Sequence, residues 1–258
     1  MIIASCPRAI YAPLPNPSVD PAGFIDVGFI FLQSNASGQS TSGFSIPTGL
    51  LMWSHVIGQH VPVGLEALGP YTGNAHGIEM DLAGALASKG VTFFCFKVAQ
   101  GATGLHDTWL APTGTNWPTV VADWGTVAPL LAAQYPGKTI RIHIIPIGGE
   151  FECALPTADP RVSSFAADLA TTVAAVRTLV GVPAAGLHLL QQHNHANPVT
   201  FWPSDALVQA QITSAAASIS NTTLYTLTDL AYEAADLVHY NTFWPIARAM
   251  AAGILATI

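Results

Sequence analysis

Phe24-Ile25-Asp26-Val27-Gly28-Phe29-Ile30-Phe31-Leu32 is almost continuously apolar. A run of this length without polar alternation predicts a strand buried on both faces, as in a parallel sheet covered by helices on either side. Similar runs recur at Val91–Val98, Thr139–Ile147, Gly186–Gln191 and Thr222–Leu227. Helical patterns separate them, at Ala75–Lys89, Val120–Gln134, Pro160–Val180, Ser204–Ser218 and Phe243–Leu255. The clearest of these has Asp159 as N-cap, Pro160 at the first helical position and Gly181 just past the end. This alternation predicts an α/β fold with a doubly wound, flavodoxin-like, five-stranded parallel sheet flanked by helices.

Outward from that core, residues 24–258 read as one domain without internal repeats, long enough to bury a large core. Residues 1–23 carry Pro7, Pro13, Pro15, Pro17 and Pro21, which disfavour regular structure and predict an extended arm lying on the domain or on a neighbour. The first residues lack the basic-then-apolar pattern of an export signal, and no uncharged apolar stretch reaches membrane-spanning length. The compartment is left open by this reading, because assembled particles and lysis also deliver leaderless proteins outside the cell.

The chain has 8 Lys plus Arg against 15 Asp plus Glu, a net charge of -7. That balance argues against a nucleic-acid or anionic-membrane partner and against a polyanionic substrate. Only 9% of residues are charged and half are apolar, where a soluble domain typically has about 25% charged. So uncharged a surface predicts a homo-oligomer or a component of a larger assembly. Cys6, Cys95 and Cys153 are odd in number and lack metal-ligand spacing, so no disulfide framework follows.

In an open parallel sheet, ligands bind where loops diverge from the carboxyl ends of the strands. Three polar groups are expected at that rim: Gln33-Ser34-Asn35 after the first strand, Gly148-Gly149-Glu150 after the third, and Asp236-Leu237-Val238-His239 after the last. A serine hydroxyl becomes a nucleophile when an imidazole takes its proton and a carboxylate holds that imidazole in the right tautomer. Ser34, His239 and Asp236 supply those three groups. No Gly-x-Ser-x-Gly elbow occurs, which argues against an ordinary α/β-hydrolase. Gly137-Lys138-Thr139 lacks the glycine-rich turn of a phosphate loop, with Ala132 where a glycine is required.

His188, His193 and His195 invite a metal reading, but no carboxylate or cysteine stands at clear ligand spacing. No metal or cofactor is expected. His55, His60, His76, His106 and His143 read as polar surface or hydrogen-bonded structure.

The order of these blocks resembles the SGNH-hydrolase superfamily, in particular its sialate O-acetylesterase-like and acetylxylan-esterase-like carbohydrate esterases. That branch carries Gly-Gln-Ser-Asn-x-x-Gly around its nucleophile, and Leu32-Gln33-Ser34-Asn35-Ala36-Ser37-Gly38 matches except at its first place. Leu68-Gly69-Pro70 is similar to its second block. Lys97-Val98-Ala99-Gln100-Gly101-Ala102-Thr103, with Trp109, is similar to Lys-x-Ala-x-Gly-Gly-Thr and a later Trp. Gly148-Gly149-Glu150-Phe151-Glu152-Cys153-Ala154 aligns with Gln-Gly-Glu-x-Asp-Ala, and Ala206–Gln211 and Asp236–Tyr240 complete the set.

The resemblance implies Ser34 as nucleophile, His239 as general base and then acid, and Asp236 as the group that orients His239. The oxyanion would be held by the backbone N–H groups of Ser34 and Gly69. Gly148 stands where the branch has a Gln side-chain donor, leaving Asn35 or the backbone of Gly148 or Gly149 to substitute. Glu152 replaces an Asp, and Leu32 in place of Gly reads as packing at the strand end. Gln33, Asn35, Thr103 and Glu150 are expected to line or support the pocket, with Glu150 more readily a buried carboxylate bonded to the nucleophile loop than a catalytic group. Trp109 lines the pocket or belongs to the core. The implied reaction is two-step acyl transfer, releasing a small acyl group, most simply acetyl, from a carbohydrate hydroxyl. The alternative is a carbohydrate-binding or structural module of a larger assembly, such as a virion, with weak or lost catalysis.

Overall fold

The computed structural model describes residues 23–32, 51–54, 59–62, 78–89, 91, 93–192, 202–227 and 244–257. In chain order these hold β1 (Phe24–Leu32), β2 (Leu51–Ser54), β3 (Gln59–Pro62), α1 (Ile78–Ala87), β4 (Phe93–Ala99), a single π-helical turn (Leu105–Trp109), α2 (Trp117–Gln134), β5 (Thr139–Ile147), α3 (Glu150–Cys153), α4 (Pro160–Val180), β6 (Gly186–Gln192), α5 (Asp205–Ser218), β7 (Thr222–Leu227) and α6 (Trp244–Leu255).

The five expected strands all form, all parallel to their neighbours, in the order β4-β1-β5-β6-β7. The sheet has seven strands rather than five. β2 joins the free edge of β4 in parallel, and β3 pairs antiparallel with β2. Both added strands are four residues long, too short for a periodicity signal, and Pro62 closes the outermost one, where an edge strand tolerates proline.

β1 lies between β4 and β5, so the connections leave its two sides in opposite directions and the topological switch point falls at its carboxyl end. Its central place also explains its sequence. Ile25, Val27, Phe29 and Phe31 pack into the core beneath α2, α4 and α5, while Ile30 joins the core beneath α1 and α6. The Phe29 ring sits 4.7 Å from Phe96 and 5.7 Å from Trp124 of α2. α4 follows its sequence signals: the Asp159 side chain accepts from the Arg161 N–H, and Gly181 ends the helix at φ 70°.

A buried polar line crosses the α1/α6 face of the sheet. Asp26 accepts from Arg141 through Nε and Nη2, each at 2.8 Å, and lies 2.9 Å from His143 Nε2. His143 Nδ1 is 3.2 Å from His188 Nε2, and His188 Nδ1 is 2.8 Å from the Tyr225 hydroxyl. Because a carboxylate only accepts, the His143 Nε2–H donates to Asp26. His143 is thus hydrogen-bonded structure, one of the two readings its sequence allowed, and His188 joins the same line. Burial raises the Asp26 pKa, but the hydrogen bonds from His143 and Arg141 outweigh it and hold the carboxyl below its usual range. Burial, with the nearby His143, pushes His188 down to about 3.

Candidate active site

Ser34, Gln33, Asn35, Gly69, Asp236 and His239 lie outside the described residues, as do His193, His195 and residues 1–22 of the proline-rich arm. The elements leading to the site residues are described. β1 ends two residues before Ser34, β5 ends one residue before Gly148, and β7 ends nine residues before Asp236. All three strands point their carboxyl ends the same way, because β1, β5, β6 and β7 are mutually parallel. The carboxyl ends of β1 and β5 flank the switch point.

The rim itself holds unusual backbone. Leu32 has φ 109°, a region that leucine avoids. Strand alternation would send its side chain to the same face as Ile30, yet it packs in the opposite core, within the cluster of Phe31 and Phe165. Ala102 has φ 57°. Leucine and alanine thus have positive φ at two places where the quoted motifs have glycine and this chain does not. Such residues cost on the order of 1–3 kcal/mol each and persist only where their surroundings hold them. Leu32 is held by burial, at 1% exposure, and by its carbonyl, which accepts from the Gln100 N–H at 2.9 Å.

After β5, Gly149 has φ 118° and turns the chain into α3. A Cβ there would be strained by that angle and would press on Val208 at 3.4 Å. The turn buries Glu150 and Glu152, at 4% and 0% exposure. Glu152 Oε1 accepts from the Leu105 N–H at 2.6 Å, tying the Gly148–Ala154 segment to the start of the π-helical turn. Gly104 makes room for that approach, since a Cβ there would lie 2.7 Å from the Phe151 ring. Glu152→Ala leaves the buried Leu105 N–H without this acceptor and is expected to cost about 2–3 kcal/mol. Glu152→Gln keeps a carbonyl oxygen in place and is expected to lose less; urea unfolding midpoints read the difference.

The segment between β4 and α2 is braced from several sides. The Thr103 hydroxyl donates to the Gln100 carbonyl at 2.7 Å and accepts from Trp109 Nε1 at 2.9 Å. Trp109 is 1% exposed and belongs to the core. Arg161 at the start of α4 binds both Asp107 and its own N-cap Asp159, each at 2.8 Å or less. Those hydrogen bonds pull Asp159 down to about 2. His106 Nδ1 lies 2.8 Å from Asp168.

Cys95 and Cys153 are buried, and burial pushes both thiols well above their ordinary range. That shift disfavours the thiolate, the reactive form of a cysteine. Among the described residues no three His, Cys, Asp or Glu side chains gather as a metal site, and no helix is long and apolar enough to cross a membrane. A small apolar void of about 10 Å³ lies under the rim among Leu32, Gly148, Phe165 and Ile212, with room for no more than a methyl-sized group.

Sequence reasoning missed the Asp26–His143–His188–Tyr225 line and the Glu152–Leu105 bond. The visible signal for the first was a charged residue inside an otherwise apolar strand.

No family model matches the chain, and no curated protein matches it in sequence. Solved structures match its fold. An Arabidopsis thaliana protein superposes with a TM-score of 0.65 at 11% identity, over 90% of this chain and 98% of its own. A carbohydrate acetylesterase from Xanthomonas citri gives 0.55 at 14% identity, over 88% of this chain. The chain spans 55% of the length of that esterase. NanS gives 0.56 at 12% identity, over 80% of this chain and 78% of its own. The likeness is one of fold, an α/β architecture with a mostly parallel sheet flanked by helices.

Proposed function

We propose that this chain is a serine esterase that removes a small acyl group, most simply acetyl, from a carbohydrate hydroxyl. One observation carries the reading: the strand that precedes Ser34 occupies the switch point of the sheet and turns out of it through the strained Leu32, the place where an open α/β sheet holds its ligand. The fold shared with a carbohydrate acetylesterase supports the substrate class.

In this mechanism Ser34 Oγ attacks the ester carbonyl while His239 takes its proton. His239 then returns the proton to the departing sugar oxygen, leaving acyl-Ser34. Water activated by His239 releases the acid and regenerates the serine. Asp236 holds the imidazole in the tautomer that accepts from Ser34 and stabilises the imidazolium as it forms. Backbone N–H groups of Ser34 and Gly69 hold the oxyanion, and Gly149 contributes a third where the Gln side chain is missing. Loss of one such donor typically costs about 100- to 1000-fold in rate. An enzyme with the triad and two backbone donors keeps a large share of its acceleration, because total enhancements exceed about a million-fold.

The substrate test is acetate release from p-nitrophenyl acetate and from an acetylated oligosaccharide. Enzyme-dependent release from both is expected, and release from neither overturns the reading.

A further inference from the structure

Lys97 of β4 donates from Nζ to Oε1 of Glu79 in α1 at 3.0 Å, and the two side chains are 5% and 0% exposed. Burying two charges is costly, and apolar residues of similar volume often serve stability as well or better. Stability alone therefore gives little reason for the pair, whereas its position gives one. Lys97 is in register with Ile30 of β1, one pleat short of the rim where Leu32 faces Ala99. Glu79 is the second residue of α1. This charge-assisted hydrogen bond ties the first turn of α1 to β4, the strand beside β1. Ser34 follows that tie two residues beyond Leu32, and Gly69 precedes it nine residues before Ile78.

Apolar contacts of α1, such as Ile78 and Leu82, hold a helix against a sheet but resist sliding only weakly. A hydrogen-bonded ion pair fixes both its height and its rotation. We propose that Lys97 and Glu79 are positioning residues, which set the start of α1 against the carboxyl end of β4, beside β1. This inference rests on the esterase reading and extends it to a pair outside the triad.

The test compares wild type with Lys97→Met/Glu79→Leu, which removes both charges at similar volume, and with each single variant. The double variant is expected to melt within about 4 °C of wild type, yet to lose kcat on p-nitrophenyl acetate by about 10- to 100-fold, as small misplacements do. Its KM is expected to stay within about threefold, and its pH profile to keep its shape. Amides of α1, residues 78–87, are expected to exchange at least about tenfold faster in the double variant. A well-folded double variant with wild-type kcat overturns the proposal, and so does unchanged exchange at those amides. Should wild type itself hydrolyse no ester, the esterase reading fails, while the exchange comparison still decides whether the pair fixes this segment. Single variants that misfold while the double folds support the pairing.

Discussion

Ser34→Ala is expected to lower hydrolysis of p-nitrophenyl acetate by between about 10⁴- and 10⁶-fold while leaving the circular dichroism spectrum unchanged. The size follows from how triads work: nucleophile and base act as one unit, so removing either forfeits nearly the whole covalent route. His239→Ala is expected to fall as far, and Ser34→Ala/His239→Ala no further than either alone. Asp236→Asn is expected to lose somewhat less, about 10³- to 10⁴-fold, because it disturbs the tautomer and leaves the nucleophile and base in place. Whatever backbone donors remain at the oxyanion account for the residue of activity. Equal rates for wild type and Ser34→Ala would remove the triad from the account.

Acid is expected to weaken the fold through His188. The folded protein keeps this imidazole neutral down to about pH 3, because burial disfavours its charge, while the unfolded chain protonates it near pH 6.5. Between those values the unfolded state holds the extra proton, so stability falls as the pH falls, by about 1.4 kcal/mol per pH unit. The full loss is on the order of 4 kcal/mol by pH 3, a large share of the stability of an ordinary domain. Asp26, held below its usual range, adds a further loss as the pH drops past 3.8. His188→Gln is expected to be less stable at pH 7.5, since it disturbs the bonds to His143 and Tyr225. Its stability should nonetheless depend on pH less steeply, by about one proton per molecule near pH 5. Denaturant unfolding at pH 7.5, 6.5, 5.5 and 4.5 measures both slopes, and equal slopes would contradict the buried, neutral assignment.

The central strands were legible because burial on both faces leaves a mark that a single sequence carries: nine residues of β1 with only Asp26 charged. The limits of α4 were legible for a local reason, as Asp159, Pro160 and Gly181 each act on their own backbone. What escaped depends on distant partners. α3 and the π-helical turn hold each other through Glu152 and Leu105, 47 residues apart. Asp26 and His143 meet across 117 residues, and His143 and His188 across 45. The glycine-like backbone of Leu32 and Ala102 was hidden because neither residue type announces a positive φ. Reading Leu32 as strand-end packing caught its burial and missed its conformation.

The rim was legible at the level of topology. Parallel strands separated by helices place the ends of β1, β5 and β7 on one edge whatever residues follow. Side-chain spacing within loops is of another kind, because contacts rather than periodicity choose a loop's conformation.

The proposed chemistry requires Ser34 to be an activated nucleophile served by His239. Incubation with a fluorophosphonate ester, followed by peptide mass spectrometry, tests it directly, because such reagents capture a serine whose proton is removed in place. A single adduct on the peptide containing Ser34, lost in His239→Ala, is the predicted result. Esterase activity that survives without any adduct at Ser34, or an adduct mapped to another residue, would contradict it.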